Sequence, residues 1–433
     1  MDPLTIGTIG AFILVVLIFA GIPIAFAAGG VGLVGLMLLR DPLAMFTMIG
    51  GVPLTSAASY TLSVLPLYIA IGFLAYHAGL TVGAFSAAKA WFGRLPGGLA
   101  TATIMANAGF AAVSGSSIAA TSVFTQLALP EMEKAGIGRA LAAGTVAVGG
   151  MLAALIPPSA LLVVYAIIVD ASVGKLLVAG LVPGAMSIVG YVLVLVVISI
   201  WKPEALPKLE RVSFGDKIRS LKGVWGIFGV IGVILGGVYF GWMTPTESAA
   251  VAVGIILVMA VMNGMRLKTL NGGLIETIKT TAMIFTIFWG MLIFTRFLAF
   301  TGLPDAVTQG IVSLDVAPWM VMVGIVILYV GLGMLLDGLG MMLLTVPILH
   351  PAVVELGYDP IWYGIIVVKM VEIGLVTPPV GLNCFVVHGT RPDIPLGDVF
   401  KGVTPFLVVE AIMLAIIMIW PDIVLFLPNT MWR

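Results

Sequence analysis

Ten stretches of this chain, roughly 5–21, 24–39, 53–80, 141–168, 176–200, 223–242, 246–263, 275–301, 361–388 and 403–428, are apolar over close to the ~20 residues a helix needs to cross a bilayer. Hydrophobic residues make up 61% of the 433 and charged residues 9%. Ordinary globular chains carry roughly 25% charge, and a soluble protein of this size could not cover its surface with so few ionic groups. The 53 glycines and 25 prolines suit membrane helices that pack closely and break at chosen points. The expectation is an all-α polytopic membrane protein. Soluble enzymes and secreted scaffolds are excluded, and a formal charge of zero leaves no basic field for nucleic acid. One cysteine, Cys384, excludes an intramolecular disulfide and a cysteine-based metal site. The opening MDPLTIG lacks a positive n-region, so the first apolar run reads as a retained helix.

The ten segments fall five on each side of one polar stretch, 201–222, with six basic and three acidic residues. It is the natural linker between a first unit at 1–200 and a second at 223–433. Two further apolar stretches, about 101–129 and 319–349, are broken at mid-length by Ser114-Gly115-Ser116-Ser117 and around Asp337-Gly338. Non-helical backbone at membrane depth survives only where protein or a watery cavity supplies partners. Both stretches therefore read as re-entrant hairpins that enter and leave on one side. With hairpins that do not cross and a cytoplasmic linker, fifteen basic residues lie inside and three (Arg40, Lys175, Arg433) outside. This positive-inside bias puts both termini on the outer face. The mixed segments 83–99 and 304–318 read as arms along the interface.

The halves resemble each other at a shift of 221. That shift lays Pro130 on Pro351, Gly136 on Gly357, Pro157-Pro158 on Pro378-Pro379, and Ser116 on Asp337. Five crossings per half, an odd number, make the two repeats inverted. Inverted repeats with discontinuous helices in matching positions are the pattern of secondary transporters, with a site near the midplane between them.

Each half thus sets a hairpin tip beside a helix broken by Pro-Pro, about 141–168 in the first and 361–388 in the second. Two prolines in succession remove amide donors and open the helix. The freed carbonyls, with Ser, Thr and Asn oxygens, make a neutral cage suited to sodium, and the helix N-termini after each break suit an anionic substrate group. A single break of this kind is also what a packing kink looks like; the repetition in register favours the functional reading. Asp337 is costly at membrane depth, about 2.5–3.5 kcal/mol, and reads either as a cation-coupling group or as a cap of the hairpin turn. Arg296 reads as a partner for a substrate carboxylate or as a side chain snorkelling to the interface. Lys369 and Glu372 stand at i, i+3 as an internal ion pair. Thr244-Pro245-Thr246-Glu247 is a capping box. His77, His350 and His388 are isolated, with no HExxH, and no G-x-S-x-G occurs, so neither a zinc site nor a membrane hydrolase is indicated.

The runs GMLLDGLGMMLLTVPIL and ELGYDPIWYGIIVVKMVEIGLVTPPVGLNCFVV, with TPTESAAVAV, VSGSSIAATSV and IPPS, resemble the large membrane (M) subunit of TRAP transporters, the tripartite ATP-independent periplasmic transporters. The likeness covers the whole chain in order. Lys369 departs from it, standing where an apolar residue is expected, and the pattern is loose at Leu339-Gly340. The resemblance implies a sodium-coupled, elevator-type importer of an organic acid anion, not an enzyme, in a bacterial or archaeal inner membrane. It implies a small four-helix membrane subunit and a periplasmic substrate-binding protein as partners, with sodium ions and no organic cofactor or transition metal. Carried over, a first sodium site involves Ser114, Gly115, Ser116 and Ser117 with Pro157 and Ser159. A second involves Gly333, Asp337 and Gly338 with Thr377, Gly381 and Asn383. Ser116, Ser159, Asp337, Asn383 and Arg296 are the substrate candidates. Segments 1–80 and 223–303 belong to the scaffold and arms, while the hairpins and broken helices move. The alternative is a stand-alone sodium-coupled dicarboxylate or anion carrier of similar inverted-repeat fold.

Overall fold

A computed structural model describes residues 2–39, 42–207, 209, 212–262 and 264–431. Arg40, Lys208, Arg211 and Arg433, four of the basic residues used for orientation, lie outside the described residues. The described chain is all α-helical, with no strand. Among the described residues, five helices are by themselves long and apolar enough to cross a membrane, and three bent pairs raise this to eight. The ten expected crossings include Pro3–Phe19 and Ile24–Leu39, which at 17 and 16 residues are too short for that measure. Phe12, Phe26, Trp201 and Val261 point outward, where a bilayer rather than water solvates them.

Several boundaries differ from the sequence reading. The segment expected at 53–80 bends by 55° between Met45–Ala57 and Thr61–His77. The one expected at 403–428 is two helices, Leu396–Ile419 and Asp422–Thr430, because Pro421 follows the first and cannot continue its ladder. Leu267–Thr301 begins earlier than expected and runs 35 residues, about 52 Å at 1.5 Å per residue. The polar linker is partly helical: Phe214–Leu221 lies against the arm Leu80–Phe92, where Trp91 Nε1 donates to the Lys217 carbonyl at 3.0 Å. The second arm is Leu303–Val312.

A helix break stands at both places where the sequence puts a hairpin tip, and at both places where it puts a broken helix. Gly98–Ser114 stops because Gly115 takes φ +58, and Ser116 then caps Ser117–Leu127. Pro318–Gly333 stops before Asp337, which caps Gly338–Glu355. Arg139–Leu155 and Ala160–Ile168 meet at 41° across Ile156-Pro157-Pro158, with Ser159 as cap. Pro360–Gly374 and Leu382–Thr390 are separated by Thr377-Pro378-Pro379 and by Gly381 at φ +57. The Pro-Pro bond is cis in both breaks.

Packing between the halves is reciprocal. Ser117–Leu127 of the first hairpin packs on Leu382–Thr390 of the second broken helix, and Gly338–Glu355 of the second hairpin packs on Ala160–Ile168 of the first. Around these elements, Ile24–Leu39, Val64–His77, Pro245–Met262 and Leu267–Thr301 pack mainly on one another. One apolar cluster holds this second group together with the second hairpin; another holds the first hairpin, Arg139–Leu155 and part of Leu396–Ile419.

Candidate functional site

The backbone comes close where each hairpin tip meets its own half's broken helix. A Cβ on Gly115 would lie 2.8 Å from the Pro158 carbonyl oxygen, and one on Gly374 would lie 2.8 Å from the Gly333 Cα. Only glycine permits this approach. The arms are equally tight: Gly149 faces the Asn107 side chain, and Gly150 faces Thr121 Oγ1.

The caps carry the polar chemistry of both tips. Ser116 Oγ accepts from Ala119 N at 3.3 Å, and Asp337 Oδ2 accepts from Gly340 N at 3.4 Å. The two residues matched by the 221-residue shift therefore do the same local work, each satisfying an amide of the first turn that has no helical partner. Ser159 likewise caps Ala160–Ile168, accepting from Leu162 N at 3.3 Å and donating to the Ala154 carbonyl. The capping reading of Asp337 is realised, and the carboxylate also borders open space.

That space is a cavity of about 540 Å³. Ser114, Gly115, Ser116 and Ser117 line it from the first tip, Asp337 and Gly338 from the second, and Pro158 and Ala160 from the first break. Tyr68, Gly72 and Tyr76 of Val64–His77 and Glu276 and Thr280 of Leu267–Thr301 close the opposite wall. The structure thus brings together both hairpin tips and the first break. Pro157, Ser159, Gly333, Thr377, Gly381 and Asn383 do not line the cavity. Thr377 donates to the Ile373 carbonyl, and Asn383 Nδ2 donates to the Ala147 carbonyl at 3.2 Å. Arg296 is not brought in. It donates to the Met48 carbonyl at 3.0 Å and stands about 18 Å along its helix from the cavity residue Ile284.

Several buried side-chain oxygens lack a hydrogen-bond partner, Thr81, Thr281 and Thr308 Oγ1 among them. Ser114 Oγ, Asn107 Oδ1 and Thr121 Oγ1 around the first hairpin, and Asn383 Oδ1 behind the second break, are such atoms among the described residues. A buried acceptor left empty is costly. Asn107 and Thr121 escaped sequence reading because they sit inside helix arms rather than at breaks. Glu276 escaped it as well; it pairs with His77 Nε2 at 3.1 Å. A carboxylate in the first turns of an otherwise apolar helix was the available signal.

Comparison with known proteins agrees with this architecture. The family profile described as "Tripartite ATP-independent periplasmic transporter, DctM component" matches residues 11–423. The C4-dicarboxylate TRAP transporter large permease protein DctM of Pseudomonas aeruginosa is 36% identical over 373 residues, 86% of each chain. The sialic acid large permease SiaM of Vibrio cholerae is 31% identical over 418 residues, covering 95% of this chain and 96% of that one. In fold, the chain is similar to the crystal structure of the YdaH transporter of Alcanivorax borkumensis, with a TM-score of 0.58, 15% identity and 98% of each chain covered.

Proposed function

The chain belongs to the DctM component family of the tripartite ATP-independent periplasmic transporters, the large permease, and on that footing we propose that it imports an organic acid anion in symport with sodium. The observation that carries the proposal is the cavity where the two hairpin caps, Ser116 and Asp337, converge beside the first break. Sodium sits behind each tip. In the first half it meets Ser114–Ser117 with the Pro157–Ser159 break; in the second it meets Gly333, Asp337 and Gly338 with Thr377, Gly381 and Asn383. The empty oxygens of Ser114 and Asn383 support this placement. The substrate anion occupies the cavity between, near the N-termini of Ser117–Leu127 and Ala160–Ile168, whose free amides favour negative charge.

The two hairpins re-enter without crossing, both termini face the periplasm, and the repeats are inverted in the inner membrane. The hairpins and broken helices move as one body past Val64–His77 and Leu267–Thr301. Support comes from the small residues at that boundary: a Cβ on Gly72 would lie 2.6 Å from the Ser114 carbonyl oxygen, so the surfaces meet without interlocking side chains. A periplasmic binding protein delivers the anion, and a small membrane subunit braces the fixed part. The isethionate TRAP transporter permease protein DctMQ of Oleidesulfovibrio alaskensis supports the second partner: this chain covers 65% of it, so that permease carries a further portion beyond the match.

The experiment is sodium-driven uptake in proteoliposomes by wild type and Asp337→Asn. The isosteric amide keeps the helix cap and removes the charge. Loss of uptake with intact insertion supports the proposal; wild-type uptake removes Asp337 from the coupling site.

A further inference from the structure

Three ionisable side chains are buried together away from the cavity. Lys369 and Glu372 stand one turn apart on Pro360–Gly374, and Glu410 reaches them from Leu396–Ile419; none is more than 1% exposed. The Lys369 ammonium has three N–H groups to give. One goes to Ser187 Oγ at 2.7 Å, one to Glu372 Oε2 at 3.0 Å, and the third faces Glu410 Oε2 in an ion pair. Tyr191 donates to Glu410 Oε1, and the Ser187 hydroxyl donates to the Pro183 carbonyl at 3.1 Å. Glu372 Oε1 is left over: it is buried and has no hydrogen-bond partner among the described residues.

The charges do not balance. One ammonium faces two carboxyl groups, so full ionisation leaves a net negative charge with no water to solvate it. Uncompensated buried charge is the least tolerable case in a low-dielectric interior. A second cation or a proton restores neutrality. A sodium ion needs a shell of several oxygens, yet the oxygen left free is Glu372 Oε1, and the cluster does not border the cavity. A proton needs one atom.

We infer that Glu372 and Glu410 together bind a single proton, in a buried site that ties the helix leading into the second break to Leu181–Trp201 and Leu396–Ile419. The proton rests on Glu372. Glu410 receives both the tyrosine O–H and the ammonium, which stabilise its ionised form, whereas Glu372 receives the ammonium alone. Groups on the other packed helices leave this balance intact. Tyr329, Tyr165 and His350 turn to Tyr363, six residues before Lys369. Met151 of Arg139–Leu155 reaches Tyr191, and Lys175 and Asp422 are exposed.

The site is independent of the sodium reading, because its test needs no cargo. Infrared spectra of the intact protein in lipid nanodiscs, near neutral pH, are compared between wild type and Glu372→Gln. The expected result is a carbonyl band of a protonated carboxylic acid in wild type that is missing from the variant. A wild-type spectrum from which Glu372→Gln removes no such band overturns the inference. If the variant does not fold, the thermal midpoint of wild type is followed as pH rises above the ordinary carboxylate range. The native state then holds a proton that the unfolded chain has released, so the midpoint falls with rising pH. A midpoint independent of pH in that window also overturns it.

Discussion

Gly115 offers the sharpest test of the first hairpin tip, because Gly109 in the helix that ends there serves as its control. In Gly115→Ala the new Cβ meets the Pro158 carbonyl oxygen at 2.8 Å, and the residue must hold φ +58. The left-handed backbone alone costs an L-residue about 1–2 kcal/mol. The contact with a backbone oxygen at the break cannot be relieved by a rotamer change, which brings the total to roughly 2–3 kcal/mol. Gly109 has nothing within 4 Å of the equivalent position, so alanine there is harmless or adds about 0.5–1 kcal/mol of helix stability. A tip that opens to escape the strain must be closed again by sodium, and the cost then comes out of apparent affinity. The expected weakening is roughly 30- to 150-fold for Gly115→Ala, with none for Gly109→Ala. The assay is a sodium titration of uptake in proteoliposomes, with thermal unfolding of both variants to show that the body is intact. Equal sodium dependence in the two variants would refute the argument that the tip and the break form one cation cage.

Other variants probe separate parts of the account. Asp337→Ala removes both cap and charge, so it should lose uptake and also about 1 kcal/mol of stability relative to Asp337→Asn; equal unfolding midpoints for the two would show that the cap is not felt. Arg296→Ala should leave substrate affinity unchanged, since the guanidinium spends itself on the Met48 carbonyl; a raised KM would return Arg296 to the substrate path. Lys369→Met leaves two buried carboxyls without their cation and should destabilise by about 3–5 kcal/mol, read as loss of folded protein on size exclusion. At the polar loops, Arg391 links Glu133 at 3.0 Å with Asp393 at 2.7 Å and holds the Asp393 carboxyl down at about 2. Because that carboxyl is depressed, its contribution is present above the ordinary carboxylate range and is lost as pH falls toward about 2. Asp393→Asn should remove that part of the acid sensitivity and lower the midpoint near neutrality only slightly, because the pair is exposed and screened.

Most of the architecture was legible because lipid allows so few solutions. Apolar runs of spanning length gave the helices, and the paired sequence breaks in register located four interruptions between helices. Residue roles were legible where backbone chemistry forces them. Asp337 was read as a cap from residue type and position, and it is one; the capping by Ser116 and Ser159 and the positive φ of Gly115 and Gly381 were not assigned from sequence. What escaped depends on long-range packing. Glu410 drew no reading from the sequence, because its ion pair with Lys369, 41 residues earlier, forms only when Leu396–Ile419 packs against that helix. Glu276 and Tyr76 became cavity walls only when two helices from opposite halves came together. Arg296 misled for the same reason: its type suggested a carboxylate partner, but its place on a long helix carries it away from the cavity. The splits at 58–60 and 420–421 were missed because hydropathy does not register a bend between two apolar helices.

The central claim is that the hairpin tips bind sodium, and the most direct measurement is sodium-dependent thermal stabilisation of the purified chain, with potassium at equal ionic strength as the reference. A ligand that binds only the folded state raises its stability by RT ln(1 + [L]/Kd). The account predicts a midpoint that climbs with sodium and not with potassium, a smaller rise in Asp337→Asn, and a smaller rise in Gly115→Ala. Identical midpoints in the two salts, or a full sodium response in both variants, would contradict it.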